Sequence, residues 1–104
     1  WKNTVIREEA TVADAIQTID SSNLHIALVV DKDFKLLGIV TDRDVRRGLL
    51  NRITLQESVL KICNRNPTVA DSGFSHEKIK SLLIKTGFRH IPITNSERTL
   101  VGLE

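Results

Sequence analysis

Methionine is absent from all 104 residues, so the chain carries no initiator and reads as a fragment cut from a longer protein. Cysteine occurs once, at Cys63. One thiol excludes an internal disulfide and fits a reducing, cytoplasmic compartment, and a small buried apolar role suits it better than that of a nucleophile. No apolar run approaches the roughly 20 residues of a membrane span. The opening Trp1-Lys2-Asn3-Thr4 is not the charged start of a signal peptide, and no membrane partner is expected. The net charge is only +2. No aromatic residues interleave with the arginines as a base-stacking platform would require, which argues against nucleic acid. No nucleophile lies beside a base, and no glycine-rich phosphate loop is present. His25 and His76 lack metal-type partners at useful spacing, so neither a catalytic residue nor a metal site is expected.

What is present is the composition of an ordinary folded domain, 40% hydrophobic and 27% charged. Thr4-Val5-Ile6 is β-prone. Thr11 fits a helix N-cap with Asp14 at N3, and Val12, Ala15, Ile16 and Ile19 share one helical face. Ser21-Ser22-Asn23 ends that helix. Ile26-Ala27-Leu28-Val29-Val30 is a continuous apolar run, which predicts a strand buried on both faces. Polar Asp31 to Lys35 connects it to a returning strand, Leu36 to Val40. Asp42 to Leu50 reads as helix, with Val45, Leu49 and Leu50 facing inward and Arg46, Arg47 and Arg52 outward. Thr54-Leu55-Gln56-Glu57 repeats the capping pattern and predicts a short helical connector through Val59, Leu60 and Ile62, broken at Asn66-Pro67.

After the connector the same order returns. Thr68-Val69-Ala70 reads as strand. Ser75 caps a helix with Ile79, Leu82 and Leu83 inward and Gly87 just past its end. Phe88 to Thr94 and Leu100 to Leu103 read as strands around a turn at Asn95 to Arg98. An ungapped offset of 64 residues carries Thr4-Val5 onto Thr68-Val69, Thr11 onto Ser75, Ile19 onto Leu83, Asp31 onto Asn95 and Gly38 onto Gly102. Caps, core positions and the strand glycine keep their roles in one register, as a duplication would. The expected fold is α+β: two β-α-β-β-α units, residues 1–52 and 65–104 joined by the connector 53–64, packed sheet to sheet around a pseudo-twofold axis. At this offset Val40 falls on Glu104, so the second unit is expected to be truncated. Its uncovered last strand predicts self-association, as a homodimer or with a swapped element.

The junction Gly38-Ile39-Val40-Thr41-Asp42-Arg43-Asp44 is the candidate site. A strand running into a helix N-terminus offers unpaired N–H groups and a dipole that favours an anion. Thr41 can add a hydroxyl, and Asp44 can accept from sugar hydroxyls. Helix capping by itself accounts for only one of these residues.

In this duplicated setting the Gly-Ile-Val-Thr-x-x-Asp run resembles the CBS domain (cystathionine β-synthase type module) in its usual tandem pair. Phe88-Arg89-His90-Ile91-Pro92-Ile93 resembles a strand segment of the second copy. The resemblance implies a regulatory module that binds adenosine nucleotides such as AMP, ADP or ATP, requires no cofactor, and acts on an attached catalytic domain. It implies phosphate and ribose contacts for Thr41 and Asp44, a base against Val5, Ile6, Ile26 and Ala27, and phosphate contacts from Arg89 and His90 of the other unit. Leu24 to Val30 and Leu37 to Leu50 further resemble the CBS pair that precedes a sugar-phosphate nucleotidyltransferase domain. Arg43 stands where those chains usually carry glycine. It either strengthens a polyphosphate contact or obstructs the site. The competing expectation is a ligand-free dimerisation scaffold.

Overall fold

The computed structural model describes residues 1–104. The chain runs β1 (Val5–Arg7), α1 (Val12–Ser22), β2 (Ile26–Val30), β3 (Leu36–Thr41), α2 (Asp42–Leu50), β4 (Ala70–Asp71), α3 (His76–Thr86), β5 (Pro92–Thr94) and β6 (Leu100–Leu103). These strands make two three-stranded sheets, β1-β2-β3 and β4-β5-β6. In each, the first pair is parallel and the second antiparallel. No helix is long and apolar enough to cross a membrane.

The duplication holds at the level of backbone detail. Asn23 and Gly87, related by the offset, both end their helices in the left-handed conformation. Phe34 and Arg98 both have positive φ in the hairpin turns. The Asp31 carboxylate accepts from the amides of Asp33 and Lys35, and the Asn95 side chain accepts from those of Glu97 and Thr99. Each antiparallel pair shifts register at the same place, between Val29 and Val30 and between Ile93 and Thr94.

The two sheets meet at their turns. The Leu36 amide donates to Arg98 O and the Leu100 amide to Phe34 O, both at 3.0 Å. These bonds exchange under the offset, as contacts across a twofold axis must. Arg98 adds a bond from Nε to Leu36 O at 2.7 Å. Behind this seam Ile26, Leu28, Val30, Leu36 and Leu100 form the core between the units, with Trp1, Val5, Leu24, Val69 and Leu103 packed around it. The opposite face of β2 sends Ala27 and Val29 into a second core with Val12, Ala15, Ile19, Val59 and Ile62. The expected burial of β2 on both faces is therefore observed: all five residues are buried. The second unit has no counterpart of α2, and its own core is smaller, built on Ala70, Ile79 and Ile91. Val101, the counterpart of half-buried Leu37, is left exposed on the uncovered side.

Several expectations require correction. Leu49 and Leu50 do not face inward; they are 46% and 84% exposed. The inner face of α2 is Asp44, Val45 and Gly48, because Gly48 lies against Ile62. A Cβ on Gly48 would stand 2.5 Å from Ile62 Cγ2, so the absent side chain lets the connector approach and rolls both leucines outward. The connector is not helical from Thr54. The Thr54 amide does bond the Glu57 carboxylate, but only Val59–Lys61 forms a turn of 3-10 helix, and Ser58 caps it. The connector's carbonyls are used elsewhere: Val12 and Ala13 at the start of α1 donate to Glu57 O and Leu55 O. The strand expected from Phe88 shortens to Pro92–Thr94, since β4 offers it only Ala70 and Asp71 as partners. The strand expected at Thr68-Val69-Ala70 moves to Ala70–Asp71, which pair with Ile93 and Thr94.

Candidate functional site

Thr41 ends β3 in an extended conformation (φ −118°, ψ 173°) and N-caps α2. The Asp44 carboxylate folds back over it. Asp44 Oδ2 accepts from the Thr41 amide at 2.9 Å and from the Thr41 hydroxyl at 3.0 Å. Asp44 Oδ1 accepts from Arg47 Nη2 at 2.8 Å. Asp44 is only 7% exposed. A buried carboxylate demands such partners, because desolvation otherwise disfavours its charge. The Thr41 hydroxyl proton is directed at Asp44, and the two side chains form a reciprocal capping box, so helix capping accounts for both residues and not, as expected, for only one. The amides of Asp42 and Arg43 have no protein partner and face out of the first turn of α2. That leaves a helix N-terminus open to an anion, in contrast to α1, whose first amides are taken by the connector.

The sequence-derived site residues are distributed over this corner unequally. Ile26 is the register partner of Thr41 across β2 and β3, and it is buried. Val5 pairs with Leu28 on the adjacent strand and lies on the same face as Ile26, toward the second unit. Ile6 and Ala27 lie on the other face, packed with α1, so only their backbones border the cleft side. Arg43 is exposed and makes no ion pair. Arg89 is exposed, His90 is half-buried, and neither bonds Thr41 or Asp44. Sequence reasoning placed Arg47 in an outward basic cluster that could face a phosphate and missed its bond to Asp44. Its spacing of three from Asp44 on a helix was the available signal.

Two further features flank the corner. An open groove of about 550 Å³ runs along the outer side of α1, lined in part by Gln17, Asp20, His25, Asp42 and Leu55. It meets the junction at Asp42, and Asp44 does not line it. On the other side Gly38 admits the connector: the Ile39 amide donates to Asn64 O at 3.1 Å and the Asn64 amide to Ile39 O at 2.8 Å. Cys63 sits beside Gly38, and burial pushes its thiol above the ordinary range.

The CBS domain family model matches residues 2–51, which span β1 to the end of α2. That match covers just under half of the chain. The CBS fold continues through the second unit, as solved structures show. A CBS domain protein, PAE2072 of Pyrobaculum aerophilum, complexed with AMP, aligns over 96% of this chain and 77% of its own with a TM-score of 0.79 at 20% identity. The CBS domain pair of protein MJ0100, in complex with 5′-methylthioadenosine and S-adenosyl-L-methionine, aligns over 96% and 82% with a TM-score of 0.76 at 20% identity. Among curated proteins, the uncharacterized protein MJ1225 of Methanocaldococcus jannaschii is 32% identical over 98 residues, 94% of this chain and 35% of its own length. Against two other curated relatives the chain spans 60% and 30% of their lengths. The narrower resemblance to the regulatory pair of nucleotidyltransferases gains no support from these relatives.

Proposed function

We propose that this chain is a non-catalytic regulatory module whose Thr41–Asp44 corner binds an adenine nucleotide, as AMP, ADP, ATP or a related adenosine ligand. The observation that carries the reading is the buried Asp44 carboxylate, held by Thr41 beside the unpaired amides of Asp42 and Arg43. A ribose diol can donate to the carboxylate while a phosphate takes the helix N-terminus. Val5 and Ile26 supply the apolar side for the base. Arg89 and His90 approach from the other unit once a ligand fills the cleft. That structural neighbours are solved with AMP, and with S-adenosyl-L-methionine and 5′-methylthioadenosine, supports the ligand class. The free energy of binding then favours one arrangement of an attached catalytic domain, for which a sugar-phosphate nucleotidyltransferase is our candidate from sequence resemblance.

Calorimetry with AMP, ADP, ATP, GTP, CTP and S-adenosyl-L-methionine tests this. Adenosine ligands should bind, and Asp44→Ala should weaken them by roughly 1–3 kcal/mol through loss of a charged hydrogen-bond acceptor. Folded protein that answers to none of them refutes the reading. A second reading, a ligand-free scaffold that dimerises, is favoured by exposed Leu49, Leu50 and Leu55 around the α1–α2 side. It predicts a tight homodimer by sedimentation that Leu50→Glu dissociates and that nucleotides leave unchanged.

A further inference from the structure

We propose that Arg47 makes this corner select phosphate-bearing adenine nucleotides over the bare nucleoside. The inference rests on the reading above that Asp44 receives a ribose. Both Asp44 oxygens are engaged before any ligand arrives: Oδ2 by Thr41 and Oδ1 by Arg47 Nη2. The Thr41 bonds are local to the cap and stay with the helix. The Arg47 bond is the one a ribose hydroxyl meets, since it holds the remaining oxygen of a carboxylate that is otherwise buried.

The two partners are unequally fixed. The Asp44 side chain is 10% exposed and the Arg47 side chain 56%, so the guanidinium is the group that moves. Once displaced, it still carries a full charge and a planar fork of donors matched to phosphate oxygens. A nucleoside takes its place on Asp44 and returns nothing to it except water. A nucleotide brings an anion to the amides of Asp42 and Arg43, within one helical turn of Asp44, where the released guanidinium can close on it. The Asp44–Arg47 pair thus acts as an internal competitor whose loss only a phosphate offsets. Arg43 and Arg46 are exposed and make no bond to Asp44, so the competition belongs to Arg47 alone.

The experiment is calorimetric titration of adenosine and of AMP into wild type, Arg47→Ala, Arg47→Lys and Arg46→Ala, each checked for folding by circular dichroism. Wild type should prefer AMP to adenosine by about tenfold or more, the scale of a charge-assisted phosphate contact. Arg47→Ala should bring the two affinities within about threefold, by weakening AMP while adenosine stays level or tightens. Arg47→Lys, which keeps a cation against Asp44 and with it the local fold, should give an intermediate ratio because it loses the fork. Arg46→Ala should leave the ratio as in wild type. A ratio that survives Arg47→Ala, or that collapses in Arg46→Ala instead, overturns this assignment and leaves nucleotide binding standing. Wild type that binds neither ligand overturns both.

Discussion

Gly38 and Gly102 occupy the same place in the two units and stand in different surroundings. A Cβ on Gly38 would lie 2.6 Å from Asn64 O and 3.0 Å from Cys63 Sγ, against backbone that is paired to Ile39. On Gly102 it would meet only the Ile93 side chain, at 3.4 Å and beyond. Gly38→Ala should therefore cost about 1–3 kcal/mol in urea unfolding through displacement of the connector, while Gly102→Ala should stay within about 0.5 kcal/mol of wild type. Equal effects would mean the connector does not press on Gly38. Gly48→Ala is a sharper case, because alanine in a helix interior is ordinarily better than glycine by about 1 kcal/mol. Against Ile62 Cγ2 at 2.5 Å the sign should reverse, and a stabilised variant would contradict the packing described. The sequence shows these glycines but not what approaches them. Thr41 and Asp44 stood out in the sequence as candidate ligand contacts, but their reciprocal capping box and the Arg47 bond to Asp44 did not, because capping alone called for one of them and the arginines read as a solvated outward face.

Among the elements, α1 and α2 show what periodicity can and cannot say. α1 followed its pattern, since its apolar residues fall on one face and Thr11 and Asp14 cap it reciprocally. α2 followed its pattern only at Val45, which packs inward; Leu49 and Leu50 near its end do not, because Gly48 had already taken that face. Leu50→Glu should accordingly change monomer stability by less than about 0.5 kcal/mol. A loss of several times that size would restore Leu50 to the core. The connector could not be read from sequence as the structure that caps α1, since its hydrogen bonds run to residues about 45 positions away. Its Glu57 carboxyl is held below the ordinary range, first by the Thr54 amide and then by Lys61. Whatever Glu57 contributes is fully present above its unfolded pKa of 4.5 and is lost as pH falls through the lower folded value. An NMR titration of the Glu57 side chain should show the depressed value, and Lys61→Ala should raise it only in part. Full return to the ordinary value in that variant would remove the Thr54 amide from the account.

For the whole molecule, the offset of 64 residues carried most of the fold, because a duplication repeats capping, turns and core positions together. It could not reveal how unequal the halves are. The first unit has α1, α2 and the connector over its sheet, while the second has only α3, with Ile84 76% exposed and Phe88 51%. Stability should follow that inequality. Amide exchange should be slowest in β2, buried on both faces, and faster by orders of magnitude in α3 and β5. Uniform protection across both units would show that the inter-unit core binds them into one cooperative block.

The seam between the hairpin turns also has a mechanical meaning. Leu36 is pinned to Arg98 at one end of β3, and Thr41 stands at the other end, about 17 Å away at the rise of a strand. Such a strand is a lever with its fulcrum at the turns. A rotation of about 5° between the sheets around that fulcrum carries the strand–helix junction through about 1.5 Å at this lever length. Whatever closes on Asp44 acts with the longest available arm, and whatever alters Arg98 acts on the pivot.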